Sequence, residues 1–105
     1  MKVFKDFQGR SIRLTDERLK HILEHPEIRG MKREIEETLA QPEYVIQSLS
    51  DEQAHLYYRF YIGTKVGEKF LCVVVKMSLK DAFILTAYLT DTIKKGKMIW
   101  PKKRS

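Results

Sequence analysis

The hydrophobic pattern of the chain is mainly one of alternation. Over residues 55–62, Leu56, Tyr58, Phe60 and Ile62 fall on one face of a strand, with His55, Tyr57, Arg59 and Tyr61 on the other. Residues 70–77 split the same way, Leu71, Val73, Val75 and Met77 opposing Phe70, Cys72, Val74 and Lys76. Residues 82–89 repeat it, with Phe83, Leu85, Ala87 and Leu89 against Ala82, Ile84, Thr86 and Tyr88. With residues 44–47 as a further strand, the pattern predicts a sheet that has one face on a core and the other polar. Pairing that keeps the apolar sets together puts Arg59, Lys76, Thr86 and Tyr88 on a shared face. A slip of one residue undoes that grouping.

Before these strands the period changes. Residues 2–14 read as a short hairpin turning at Gln8-Gly9, an edge ribbon appended to the domain. Thr15 is placed to cap a helix that runs to about Glu24, with Asp16 and Glu17 at its positive end. Its apolar stripe is Leu19, Ile22 and Leu23, and Arg18, His21 and His25 project from a different side. Pro26 ends or restarts it. A second helix, from Glu27 or Met31 to Gln41, carries Met31, Ile35 and Leu39 at intervals of four and stops before Pro42.

At 105 residues this is one domain: a hairpin (1–14), a core (15–91) and a basic tail (92–105). The formal charge of +6 favours polyanionic partners, RNA among them. In the tail, Lys94, Lys95, Lys97, Lys102, Lys103 and Arg104 surround Trp100. They either attract phosphate or keep a mobile end soluble while Ile99 and Trp100 dock on the core. No apolar run approaches a bilayer span and no signal-peptide pattern opens the chain, so no membrane partner and a cytoplasmic location are expected. Cys72 is the single cysteine and sits in a Val-rich run, as an inert buried thiol would.

Chemistry narrows by elimination. His21 and His25 have the spacing to share a metal from a helix, but Ile22 stands where the zinc-protease signature needs Glu and no third ligand is evident; neither metal nor cofactor is expected. No Gly-rich phosphate loop or serine-hydrolase elbow is present. Metal-free phosphodiester cleavage needs a base for the ribose 2′-hydroxyl, an acid for the leaving oxygen and a cation at phosphorus, and the chain has histidine and arginine for those duties. Tyr57 and Tyr61, if exposed, could stack on unpaired bases.

Several short matches fall in order along residues 14–100. They are Arg18-Leu19-Lys20-His21-Ile22, His25-Pro26-Glu27, Ile35-Glu36-Glu37-Thr38-Leu39 with Pro42, Tyr57-Tyr58-Arg59, the Val-rich strand ending at Lys76, and Thr86-Ala87-Tyr88. Together they resemble a phage-associated branch of the barnase, EndoU, colicin E5/D and RelE-like nuclease superfamily. The resemblance implies an α+β fold with amino-terminal helices packed on a four-stranded antiparallel sheet, and a metal-independent ribonuclease, often a toxin, which a cognate antitoxin or inhibitor protein would restrain. Carried over by residue, it implies His21 as general base or acid, Arg59 as phosphate clamp, and Thr86 and Tyr88 orienting the phosphate. Arg18, His25, Tyr57, Lys76, Lys94 and Lys95 would hold RNA. The alternative reading is a non-catalytic RNA-binding or partner-binding protein.

Overall fold

The computed structural model describes residues 1–102, so the predicted tail residues Lys103 and Arg104 lie outside the described residues. Seven strands form one mixed sheet. They are β1 (Lys2–Lys5), β2 (Ser11–Leu14), β3 (Tyr44–Ser48), β4 (Ala54–Thr64), β5 (Gly67–Met77), β6 (Ala82–Thr90) and β7 (Gly96–Trp100). Their order is β1-β2-β6-β5-β4-β3-β7, antiparallel throughout except where β2 runs parallel to β6.

This overturns the expected four-stranded antiparallel sheet with packed amino-terminal helices. The hairpin is not an ornament beside the domain, because Arg13 pairs with Phe83 and extends the sheet. Nor is the tail merely a basic extension: residues 96–100 pair with β3. Gly96 permits that approach, since a Cβ there would overlap the Gln47 carbonyl oxygen and the Ile46 Cγ2.

The helices are short. α1 (Asp16–Ile22) begins where the Thr15 Oγ1 accepts from the Arg18 amide at 3.1 Å. After a 3-10 turn over Pro26–Ile28, α2 (Lys32–Ala40) ends before Pro42. Both lie on one face of the sheet, where Ile22, Ile28, Ile35 and Leu39 join Ile12, Leu14, Leu71, Val73, Val75 and Ile84 in a single buried cluster. No helix among the described residues is long and apolar enough to cross a membrane.

The faces of β4 are the reverse of those expected. Tyr57, with Tyr61 packed beside it, belongs to the helix-side core, whereas Leu56 and Tyr58 join Ile46 and Cys72 in a smaller cluster on the opposite face. Alternation could not decide this, because Tyr57 and Tyr58 are both buried. A bulge in β6 adds a second reversal. Val74 pairs with Thr86 and Val75 with Ile84, so Leu85 is the extra residue. The parity of β6 therefore changes midway, and Ala82 and Ile84 share the core with Ala87.

Candidate functional site

The residues singled out from sequence fall into three groups. On α1 and the turn after it, His21 and His25 are exposed, with ring centroids 6.5 Å apart and Nδ1 atoms 3.8 Å from Glu24 and 3.9 Å from Glu27. Arg18 is exposed beside them. Among the described residues, no group of three His, Cys, Asp or Glu side chains converges.

The second group is on the helix side of β4. Arg59 donates from Nη1 to the Gln41 carbonyl at 2.7 Å, and its Nε lies 3.5 Å from a Glu37 oxygen. That carboxylate also accepts from the Tyr61 hydroxyl at 2.6 Å, and the phenol, followed by the Arg59 charge, holds it below the usual carboxylate range. Tyr57 is buried rather than open to a base, and its hydroxyl donates to Asp6 at 2.7 Å.

The third group is on the opposite face. Register places Lys76, Thr86 and Tyr88 there, while Arg59, opposite Leu71, points the other way; the expected sharing of a face by all four is therefore corrected. Ile93 packs over this face, and the Lys94 amide donates to the Tyr58 hydroxyl at 3.1 Å, setting Lys94 and Lys95 above it. Lys76 is ion-paired to Asp51. The Tyr88 hydroxyl is buried beside Cys72 and Tyr58 with no well-formed hydrogen bond among the described residues, and loss of water pushes its pKa up. His21, Arg59 and the Thr86–Tyr88 pair are thus not brought together as one constellation.

A different imidazole and guanidinium do converge. Asp6, almost fully buried, organises the β1–β2 turn: its Oδ1 accepts from the Gln8 amide at 3.0 Å and the Arg10 amide at 2.8 Å, and its Oδ2 takes the Tyr57 hydroxyl. The turn is pinned against α2 by the Phe7 amide, which donates to the Leu39 carbonyl at 2.9 Å. It therefore folds over β4 instead of continuing the sheet edge. One consequence is a cleft of about 730 Å³ between the turn, the start of β4 and the β5–β6 connection, lined among others by Arg10, Ser11, Gln47, His55, Lys80 and Asp81.

In that cleft Arg10 donates to the Met77 Sδ, and to the Gln8 Oε1 at 3.2 Å. No carboxylate oxygen lies in ion-pair contact with it among the described residues, whereas Arg13, Lys69, Lys76 and Arg59 each have one. His55 is half-buried. Loss of water, with the Arg10 charge next in weight, lowers its pKa despite the opposing charge of Asp6, which favours the neutral ring. Gln47 stands beside His55 in register, and Lys97 beside Gln47.

The sequence places His55 on a strand and singles out neither it nor Arg10 as a site residue, because their shared cleft depends on where the turn docks. The available signal was Asp6, an acceptor at the start of the turn, with Gly9 at φ 79° allowing the chain to double back. Compared with models of known protein families, with curated proteins and with solved structures, the chain matches none.

Proposed function

We propose that the chain is a metal-independent ribonuclease whose chemistry is centred on His55 and Arg10. The observation that carries this reading is the half-buried imidazole sharing a cleft with a guanidinium that has no ion-paired carboxylate among the described residues. His55 takes the proton of a ribose 2′-hydroxyl, the 2′ oxygen attacks phosphorus, and the 5′ oxygen departs with a proton from solvent at the open rim. Arg10 meets the charge that builds on the non-bridging oxygens, and Lys80 adds a second cation at the rim. Asp6 is a positioning residue, since it fixes the turn that presents Arg10.

The test is cleavage of a single-stranded RNA by the purified protein, with the all-deoxy strand as control. His55→Gln and Arg10→Gln are each expected to lower the rate by about a hundredfold or more with the far-ultraviolet circular dichroism unchanged. An equally fast His55→Gln variant, or cleavage of the deoxy strand, refutes the assignment.

A second reading draws on the helix-free face, where Tyr44, Phe60 and Phe70 form an aromatic group with Phe60–Phe70 centroids 5.1 Å apart and Phe60 exposed. Such a face suits stacking of unpaired bases without chemistry. Binding of RNA without cleavage, weakened by Phe60→Ser, would favour it.

A further inference from the structure

The β1–β2 turn has another side. Opposite the His55 cleft, Phe7, Gln8, Gln41, Arg59, Trp100 and Lys102 line a cleft of about 560 Å³. Its floor is aromatic. Phe7 meets Tyr57 edge-on at 6.0 Å and the Trp100 ring at 5.3 Å with the planes tilted by 48°, and Trp100 retains 37% of its surface exposed. Trp100 is fixed from below by its pairing with Val45 at the end of β7. Two side-chain amides, which both donate and accept, stand beside the floor, and two cations lie at its edge. Among the described residues Lys102 has no ion-pair partner, whereas Arg59 donates from Nη1 to the Gln41 carbonyl and holds its Nε 3.5 Å from a Glu37 oxygen, leaving its other N–H donors for a ligand.

One hydrogen bond links the walls of the two clefts. Gln8 lines one, Arg10 lines the other, and the Arg10 Nη2 donates to the Gln8 Oε1 at 3.2 Å. We infer that the Trp100 cleft is a base-binding subsite for one unpaired nucleotide: the base lies on Trp100, Gln8 and Gln41 meet its polar edge, and Arg59 and Lys102 meet its phosphate. An RNA strand crossing the turn would then set the neighbouring phosphodiester before His55 and Arg10. This assignment rests on the ribonuclease reading, which it deepens by naming what positions the strand. Stacking is tolerant of base identity, whereas the amides discriminate among edges.

Trp100 is the single tryptophan and reports on the cleft directly. Its fluorescence is titrated with uridine 5′-monophosphate, adenosine 5′-monophosphate and ribose 5-phosphate. The expected result is saturable quenching by the two nucleotides and none by the sugar phosphate, with the midpoint raised roughly five- to tenfold in Arg59→Gln as the charge-assisted bond to phosphate is lost. Gln8→Ala, which leaves the aromatic floor in place, is expected to change the ratio of the two nucleotide midpoints. Absence of quenching, or quenching by ribose 5-phosphate that matches the nucleotides, overturns the subsite. RNA cleavage with an unresponsive Trp100 refutes the subsite alone. Saturable quenching in a protein that cleaves no RNA supports the nucleotide cleft and refutes the ribonuclease reading.

Discussion

Two tyrosines separate the two faces of this sheet. Tyr57, on the helix side, is buried with its hydroxyl given to the Asp6 carboxylate. Tyr88, on the helix-free side, has its hydroxyl buried beside Cys72 and Tyr58 with no well-formed hydrogen bond among the described residues. The same phenol therefore does opposite things to stability: in one place it satisfies an anion that shapes the β1–β2 turn, and in the other it loses water with little in return. The helix side is where buried polarity has been organised into a site. The other side is a smaller apolar cluster, covered at Ile93 and bare around Phe60.

Removing each group in turn breaks or sharpens the contrast. Tyr57→Ala is expected to have the largest effect, about 3–5 kcal/mol of lost stability in chemical denaturation, since it empties a core position under Phe7. Tyr57→Phe keeps the ring and leaves Asp6 short of a donor, which should cost about 1–3 kcal/mol and slow RNA cleavage by loosening the turn that carries Arg10.

The third effect is one of pH. Because the folded pKa of His55 lies below its unfolded value of about 6.5, the unfolded chain binds more protons in the interval between them. The stability contributed by the neutral ring is complete above the unfolded pKa and is lost as pH falls through that interval, with a slope no steeper than about 1.4 kcal/mol per pH unit. The difference in stability between wild type and His55→Gln, followed by denaturant titration from pH 8 to 5, should show this slope. The acid limb of cleavage should fall in the same range. Smallest of all, Tyr88→Phe should change stability by less than about 0.5 kcal/mol or raise it slightly. A loss as large as that of Tyr57→Phe would show that the two faces are not different in the way argued.

Local signals marked the strands well, because alternation and turn residues act over a few positions. The Thr15 cap and the prolines at 26 and 42 bounded the helices for the same reason. What alternation could not carry was parity. In β4 both faces are apolar enough to bury, so Tyr57 and Tyr58 gave no preference, and in β6 the bulge at Leu85 silently exchanges the faces halfway along. Residues 96–100 were read as part of a tail since Lys94, Lys95, Lys97 and Gly96 carry little strand propensity; tertiary pairing with β3 overrides it. The candidate site was less legible than the fold. His21, which the resemblance makes the general base or acid, lies exposed on α1, apart from the partners of Arg59. His55 and Arg10 line one cleft only because Asp6 turns the chain back across β4 through its bond to Tyr57, a contact between residues far apart in sequence.

The one parallel pairing among the described residues, between Arg13 and Phe83, has a temporal meaning. During synthesis the first hairpin emerges long before β6, so its place in the sheet stays vacant until most of the chain has left the ribosome, and closing so distant a contact is slow. The Arg13 guanidinium, which donates from Nε to Asp81 at 2.9 Å and lies over the Phe83 ring, gives the late arrival a latch. Because the same hairpin carries Asp6 and Arg10, the cleft proposed for catalysis is expected to be among the last features a nascent molecule completes.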